Sequence, residues 1–270
     1  MKIFITGTSG FIGRSLKEFY SSHDVSEYQR GTDITLALQA VSPDLIINCA
    51  GEIYKSDLMY KTNIGLVEEI LEWVRHNPNT RLIQIGSSAE YGPLDHPGSE
   101  LDPINPVNIY EATKGAATLL CQGYAREYGL QTCVARVYSA YGIHERPHRL
   151  FPRLYRAFFA NEAMTLYDGV HDFIYIDDFV RGIDTLVNSP WPSGEIVNFG
   201  SGVQYTNLEV LQLWEEVTGR TAPVNYEDRM NKSYEHSFWT CNTSYAKMQY
   251  KFQTEFSLPY GIKTFIERML

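Results

Sequence analysis

Tyr110 and Lys114 form a pair whose side-chain types can move a proton at a substrate oxygen. Their spacing of four residues places both side chains on one face of a helix, one turn apart. An ammonium group beside a phenol favours the phenolate and lowers the pKa of the tyrosine, which suits it to acid–base catalysis near neutral pH. Because the chain contains 19 tyrosines, the spacing by itself is more often that of an ordinary surface pair.

Two serines follow a predicted strand and could hold the same oxygen. The apolar run Leu82-Ile83-Gln84-Ile85 leads into Gly86-Ser87-Ser88-Ala89-Glu90. Hydroxyl groups at the carboxyl end of a parallel strand lie in the crevice where such sheets bind ligands. A serine at this place can hydrogen-bond a carbonyl or alcohol oxygen beside the tyrosine. The alternative is a serine-rich turn without a catalytic role.

Three glycines near the start of the chain have the spacing of a dinucleotide-binding turn. Gly7, Gly10 and Gly13 fall between a predicted strand at 2–5 and a predicted helix at 11–21. In such a turn the first glycine permits a tight bend, and the second lets backbone N–H groups approach a pyrophosphate. The third allows close packing of helix on sheet. This context favours a nucleotide site over a turn that is merely rich in glycine.

The end of the second predicted strand, at 24–28, indicates which dinucleotide is bound. An NAD site usually has an acidic residue there, which accepts a hydrogen bond from the ribose 2′-hydroxyl. This sequence instead reads Tyr28-Gln29-Arg30-Gly31, and Arg30 can pair with a 2′-phosphate. We therefore expect NADP(H) as the cofactor. NAD(H) is the alternative if the strand ends two or three residues earlier and Glu27 supplies the acid.

Strands and helices alternate along the first half of the chain. Strands are predicted at 2–5, 24–28, 44–50, 81–86 and 131–137, separated by helices at 11–21, 34–41, 62–75 and 109–128. The alternation predicts the α/β class, with a doubly wound parallel sheet and helices on both faces. We assign 1–141 and 171–190 to a dinucleotide-binding domain. The segments 142–170 and 191–270 are assigned to a smaller C-terminal lobe that binds substrate.

Composition excludes several classes of partner. With 23 basic and 32 acidic residues the net charge is −9, so neither a nucleic acid nor a membrane surface is expected as a partner. No apolar run approaches the roughly 18 residues that span a bilayer. The four cysteines are scattered, no metal-ligand spacing occurs, and the first strand begins at Lys2. We therefore expect a reduced, cytoplasmic protein with no leader and no metal site.

Further segments extend the pattern along the chain: Asn48-Cys49-Ala50-Gly51, Asn63, Arg136 to Gly142, His171 to Asp178 and Asn198 to Gly202. Together with the glycine turn, the serines and the tyrosine–lysine pair, they resemble the extended short-chain dehydrogenase/reductases. This group is the NAD-dependent epimerase/dehydratase family of nucleotide-sugar enzymes. The resemblance covers essentially the whole chain and implies a Rossmann sheet with a C-terminal substrate-binding lobe.

The resemblance also implies roles for individual residues. Tyr110 would be the catalytic acid/base, Lys114 would bind the nicotinamide ribose, and Ser87 would hydrogen-bond the reacting oxygen, with Ser88 as the alternative. The implied cofactor contacts are Gly7, Gly10, Phe11, Ile12 and Gly13 at the pyrophosphate, Asp33 and Ile34 at the adenine, and Ala50, Gly51 and Tyr138 along the cofactor. The implied substrate contacts are Ser139, His171 and Arg229.

A basic cluster follows in an otherwise acidic chain, formed by Arg146, His148, Arg149 and Arg153. Beside an active-site crevice it could hold a nucleotide diphosphate, since arginine binds phosphate through two parallel hydrogen bonds. We include Arg149 among the expected substrate contacts. For any one of these residues, a solvated position at the start of a helix is an equally good interpretation.

The sequence departs from the family pattern in ways that bear on the reaction. The 4,6-dehydratases carry acids where this chain has Ser88 and Ala89, and Glu90 is one place too late, so dehydration is not expected. His171 replaces the usual arginine and Ser139 the usual asparagine, which alters the sugar or diphosphate contacts. We expect NADP(H)-dependent reduction of a nucleotide-activated 4-keto sugar, with Tyr110 as general acid. The alternatives are a 4-epimerase that keeps NAD bound and a non-catalytic NADP sensor.

The helices predicted at 62–75 and 109–128 correspond to those through which related enzymes commonly dimerise, so we expect a homodimer. In the second helix, Tyr110 and Lys114 face inward. The apolar residues expected to point partly away from them are Ala116, Ala117, Leu119, Leu120 and Tyr124. A leftover apolar face of this kind calls for a partner. The alternative is that both helices bury more of the protein's own core.

Overall fold

The computed structural model describes residues 1–230 and 238–270, apart from the side chains of 229 and 230. Its strands and helices alternate as predicted. The strands are β1 (Lys2–Thr6), β2 (Asp24–Glu27), β3 (Leu45–Asn48), β4 (Arg81–Ser87), β5 (Thr132–Val137), β6 (Ser139–Tyr141), β7 (Met164–Asp168), β8 (Val170–Tyr175), β9 (Glu195–Phe199), β10 (Gln204–Thr206) and β11 (Val224–Met230). The α-helices are α1 (Phe11–Phe19), α2 (Ile34–Val41), α3 (Ser56–Met59), α4 (Leu66–His76), α5 (Ile109–Tyr128), α6 (Leu150–Ala160), α7 (Ile176–Val187), α8 (Asn207–Thr218), α9 (Ser244–Tyr250) and α10 (Leu258–Met269).

A six-stranded sheet in the order β2-β1-β3-β4-β5-β9 forms the centre of the fold, and every pair in it is parallel. From β1 the chain first adds β2 on one side of β1. It then crosses to the other side of β1, where β3 and the later strands of the sheet lie. In open α/β sheets, ligands bind outside the carboxyl ends of the strands at such a reversal. The predicted α/β class with a doubly wound parallel sheet is confirmed.

Alternating strand residues supply two separate cores, one on each face of the sheet. Ile3 and Ile5 of β1 pack into the core that includes α1, α7 and α10, whereas Phe4 packs into the core with α2, α4 and α5. In β3, Leu45 and Ile46 are both fully buried although they face opposite cores. Burial on both faces accounts for the continuous apolar composition of this strand.

The helix predicted at 62–75 is longer than expected and is interrupted. It comprises α3, a π-helical segment at Tyr60–Gly65, and α4. The wider turn carries Asn63, whose side chain is buried and donates hydrogen bonds to the Glu52 carbonyl and to Thr113 on α5. Segments of this kind are frequent at functional sites, and this one joins α5 to the loop that follows β3.

Apart from β9, the strands after residue 138 form two small sheets, β10-β8-β6 and β11-β7. β9 does not lie in either of them, because it pairs with β5 and completes the large sheet. Its sequence was assigned to the substrate lobe, and β8, assigned to the dinucleotide-binding domain, pairs with β6 and β10. The division into two domains stays a prediction. Within the described residues, no helix is long and apolar enough to cross a membrane.

Candidate active site

A cavity of about 470 Å³ opens where β1, β3, β4 and β5 end. Its wall collects predicted site residues from across the sequence: Gly7, Gly10, Phe11, Ile12, Gly13, Gly51, Ser87, Ser88, Tyr110, Lys114, Tyr138, Ser139, Arg149 and His171. Ala50, Arg30, Asp33 and Ile34 are not part of that wall. One continuous cavity therefore connects the glycine turn to the tyrosine–lysine pair.

The glycine turn is shaped by backbone contacts that leave no room for side chains. Gly7 has a left-handed φ of 68°, and a Cβ on it would lie 2.7 Å from the carbonyl carbon of Cys49. A Cβ on Gly13 would lie 2.3 Å from the carbonyl oxygen of Gly7. Gly10 is the N-cap of α1 and offers no side chain to the first N–H groups of the helix. The turn therefore fits the pyrophosphate of a dinucleotide, bound by backbone N–H groups at the positive end of α1.

The second strand ends at Glu27, one residue earlier than predicted, and this carboxylate lies beside the glycine turn. Glu27 accepts a hydrogen bond from Thr8 and pairs with Lys17 at 2.6 Å. These hydrogen bonds hold its pKa below the ordinary value. Arg30 is exposed and, within the described part of the chain, has no hydrogen-bond or ion-pair partner.

The two residues implied for adenine have structural roles in α2. The Asp33 carboxylate accepts a hydrogen bond from the Leu36 N–H and caps the helix at 3.0 Å. The Ile34 side chain is buried in the core against the sheet. Any contact of these residues with a nucleotide stays a prediction.

Helix α5 is fixed at both ends, which determines where Tyr110 and Lys114 lie. Asn108 caps its start by accepting a hydrogen bond from the Glu111 N–H at 3.0 Å, and Gly129 ends it with a left-handed φ of 69°. Tyr110 therefore lies in the first turn and Lys114 one turn later. Both line the cavity, and they lie one helical turn apart as their spacing predicted.

The charges around Tyr110 differ from those expected. Burial raises its pKa above the ordinary value, whereas a hydrogen bond with Ser87 and the charge of Arg149 act in the opposite direction. Lys114 is buried and donates to the carbonyl oxygen of Ile85 on β4, and burial lowers its own pKa. The expected lowering of the tyrosine pKa by Lys114 is therefore not what the structure shows.

The serines lie where β4 turns into a short 3₁₀ segment, Ser88–Tyr91. The Ser87 hydroxyl accepts a hydrogen bond from the Ala89 N–H at 3.2 Å, and the Glu90 carboxylate accepts one from the Ser87 N–H at 2.8 Å. This capping box fixes Ser87 at the cavity wall beside Tyr110. Ser88 also lines the cavity but is almost fully buried. Ser87 is thus the better placed of the two serines.

The side of the cavity that belongs to the C-terminal half carries one neutral histidine and one ion pair. Ser139 and His171 lie within hydrogen-bond distance at 3.2 Å. Burial, with a smaller contribution from Arg149, lowers the pKa of His171 to about 4, so this side chain is neutral near pH 7. Arg149 pairs with Glu145 at 3.2 Å, and burial raises the pKa of that carboxyl to about 7.

Tyr54, which the sequence did not single out, lines the cavity and contacts two members of the predicted basic cluster. Tyr54, in the loop after β3, forms a hydrogen bond of 2.6 Å with His148, and the guanidinium of Arg146 lies 5.2 Å from its ring centre. The basic cluster was the only signal for these contacts. Arg153 does not take part, since it donates to the Thr165 carbonyl. The side chain of Arg229 on β11 lies outside the described residues.

Comparison with known proteins agrees with this geometry. The family model described as the NAD dependent epimerase/dehydratase family matches residues 3–200. The chain belongs to this family. Among curated relatives, the uncharacterized UDP-glucose epimerase YtcB of Bacillus subtilis is 27% identical over 80% of this chain and 68% of its own length. Agl12, a low-salt glycan biosynthesis protein of Haloferax volcanii, is 31% identical over 69% of this chain and 64% of its own length.

Solved structures show the same fold. A dTDP-glucose 4,6-dehydratase from Bacillus anthracis in complex with NAD superposes with a TM-score of 0.89 at 20% identity, covering 99% of this chain and 96% of that one. The protein MoeE5, in complex with UDP-glucuronic acid and NAD, gives a TM-score of 0.90 at 22% identity over the full length of both chains. At these identities the likeness establishes the fold alone.

Proposed function

We propose that this protein transfers hydride between a nicotinamide cofactor and a ring carbon of a nucleotide-activated sugar. The observation that carries the proposal is the single cavity that joins the glycine turn to Ser87, Tyr110 and Lys114. An acid/base group and a hydrogen-bonding serine are required at one oxygen while the neighbouring carbon gains or loses hydride. A relative named as a UDP-glucose epimerase, and the complexes of MoeE5 with UDP-glucuronic acid and UDP-glucose, support a nucleotide sugar as substrate.

Each residue of the site has a definite task in this proposal. Ser87 donates a hydrogen bond to the reacting oxygen, and Tyr110 gives a proton to it or takes one from it, according to direction. Lys114, held by the Ile85 carbonyl, donates to the ribose of the cofactor and orients it. The cofactor supplies or accepts the hydride when it is bound.

NAD is the cofactor that the β2 end favours. Glu27 ends that strand beside the glycine turn, the place where a carboxylate accepts from the ribose hydroxyls. Solved structures of proteins with this fold include complexes with NAD. NADP(H), the cofactor expected from the sequence, would need Arg30 to turn towards the 2′-phosphate. Its exposed guanidinium is able to do so.

A 4-epimerase is the first candidate reaction, because a tightly held NAD suits an enzyme that removes hydride and returns it to the opposite face. The epimerases among the relatives support it. Reduction of a 4-keto sugar is the second candidate, and the observation that favours it is the availability of Arg30 for NADPH. Dehydration lacks its acid: Glu90 is fully buried and hydrogen-bonded, and Ser88 and Ala89 carry no carboxyl group.

The substrate side contains cations suited to a diphosphate. Arg149 lines the cavity with about half of its side chain exposed, and Arg146 lines the same wall. His171 is neutral there and contributes hydrogen bonding instead of charge. We therefore assign phosphate binding to Arg149 and Arg146, with hydroxyl recognition at His171 and Ser139.

The test is to incubate the protein with a panel of UDP-, dTDP- and CDP-activated sugars and 4-keto sugars, and to follow cofactor absorbance and product mass. Sugar isomerisation without added cofactor identifies an epimerase, and stoichiometric loss of NADPH or NADH identifies a reductase.

The choice of cofactor is tested with a matched pair of variants, Glu27→Gln and Arg30→Ala. The first should weaken NAD and the second should weaken only NADP(H), each by roughly 1.5–3 kcal/mol. If no sugar of the panel reacts and no nicotinamide cofactor binds, the proposal is wrong.

A further inference from the structure

A buried ion pair lies behind the catalytic serine. The Glu90 carboxylate and the Arg136 guanidinium are each almost completely buried, and the Arg136 Nε donates to Glu90 Oε2 at 2.8 Å. The same oxygen accepts from the Thr118 hydroxyl at 2.7 Å, and Glu90 Oε1 accepts from the Ser87 N–H at 2.8 Å. One carboxylate thus connects β4, α5 and β5 directly beneath the site.

The local sequence makes room for this carboxylate. A Cβ on Gly86 would lie 2.9 Å from Glu90 Oε1 and 3.1 Å from Arg136 Cγ, so only glycine leaves space for the pair. The Arg136 guanidinium also lies 4.5 Å from the ring centre of Tyr91. A buried ion pair is weak evidence for stability, because apolar residues of similar volume often serve as well. Its connection to Ser87 suggests a use in the reaction.

We propose that Glu90, held by Arg136, is a positioning residue that fixes the Ser87 backbone at the reacting oxygen and sets the charge balance around Tyr110. This inference rests on the proposed function, in which Ser87 and Tyr110 act on one oxygen. Glu90 does not touch substrate or cofactor in this proposal. It acts through the Ser87 N–H and through the field of its charge.

Several groups face Tyr110 from the elements packed around it. The charge of Glu90 raises the pKa of Tyr110, as does Tyr54 from the loop after β3, whereas Arg149 at the start of α6 lowers it. Lys114 lies one turn along α5, and Glu90 raises its pKa as well. Neutralising Glu90 removes a contribution that disfavours the phenolate. The pKa of Tyr110 should then fall.

The experiment compares Glu90→Gln with Thr118→Val. Glutamine keeps the acceptor for the Ser87 N–H but removes the charge, whereas Thr118→Val removes one hydrogen bond to Glu90 and keeps the charge. The titration of Tyr110 is isolated as the tyrosinate absorbance of each protein minus that of its Tyr110→Phe counterpart, which requires no substrate. In Glu90→Gln the titration should move to lower pH by roughly half a unit, and in Thr118→Val it should stay.

A second readout uses turnover of the sugar substrate. Glu90→Asp keeps the charge but is one methylene shorter, so it cannot hold both Ser87 and Arg136. Its kcat should fall roughly tenfold while KM and the pH profile stay, since small displacements of a reacting group cost rate. If Glu90→Gln does not fold, Glu90→Gln with Arg136→Met leaves no unpaired buried charge and is titrated instead, with the shift in the same direction.

The outcomes separate this inference from the proposed function. A wild-type protein that turns over no nucleotide sugar contradicts the function, while the tyrosinate titration still reports on Glu90. If the titration of Tyr110 does not move in the charge-removing variant, and Glu90→Asp keeps full kcat, Glu90 serves only the stability of the fold and the inference is overturned.

Discussion

The close contact at Gly13 gives a sharp prediction for cofactor binding. In Gly13→Ala the new Cβ would lie 2.3 Å from the Gly7 carbonyl oxygen and 2.6 Å from its carbonyl carbon. One of the two backbones must withdraw by about 1 Å to restore ordinary van der Waals contact. Overpacking of this kind costs about 1–3 kcal/mol, against a gain of about 1 kcal/mol from replacing glycine inside a helix. We expect a net loss of about 1 kcal/mol in the free energy of unfolding.

The effect on the cofactor should exceed the effect on stability. A shift of about 1 Å removes or lengthens hydrogen bonds from the turn to a charged pyrophosphate, and each is worth about 1.5–3 kcal/mol. The affinity for NAD should fall by roughly 10- to 100-fold, measured by calorimetry beside a thermal unfolding curve.

Gly123→Ala is the matched control for this substitution. Gly123 lies on the exposed side of α5, and a Cβ there would meet nothing within 4 Å. The same glycine-to-alanine change should therefore stabilise the protein by about 1 kcal/mol and leave NAD binding unchanged. Wild-type NAD affinity in Gly13→Ala would refute the reasoning about the turn.

Two further predictions concern catalysis and assembly. Tyr110→Phe should lower turnover by roughly 10²-fold or more while cofactor affinity persists, because only the proton-transferring hydroxyl is lost; near-full activity would contradict its role. For assembly, light scattering should give twice the chain's mass of 30.9 kDa, and Leu119→Arg should restore a monomer if α5 forms the interface. Leu119 is 57% exposed, whereas Leu120 packs partly against the core and Ala117 is buried in it, contrary to the expected outward direction. A monomeric wild-type protein would contradict the dimer.

Sequence periodicity predicted the large elements well and the small ones poorly. The bounds of α2 and α5 match the prediction because both helices have a capping residue, Asp33 or Asn108, and a clear end. The three-residue strands β6 and β10 gave no signal, since a strand so short has no alternation to detect. β9 was assigned to the substrate-binding lobe, and for a different reason its place in the large sheet was not predicted. Its partner, β5, is far away in sequence.

The same distinction applies to the site. Motif residues that follow one another along a strand end or a helix turn, such as the glycine turn and Tyr110 with Lys114, meet at the cavity as predicted. Contacts between distant segments were not predicted, among them Tyr54 with His148 and Glu90 with Arg136. Glu90 was considered only as a misplaced dehydratase acid. Its ion-pair partner is Arg136 on β5, which no local sequence pattern reveals. This pairing is the basis of the positioning role proposed for Glu90.

The charge balance at Tyr110 shows why motif spacing is an incomplete guide to reactivity. Spacing puts Tyr110 and Lys114 on one helical face, but the ammonium is directed to the Ile85 carbonyl at the end of β4. The charges that act on the phenol instead come from Glu90 and from Arg149. Arg149 belongs to the start of α6, where it is also paired with Glu145, so a residue proposed to bind substrate also contributes to the acidity of the tyrosine. A substitution at Arg149 should therefore alter both KM and the pH profile of the reaction. From motif spacing alone, Lys114 would have been expected to control the pH profile.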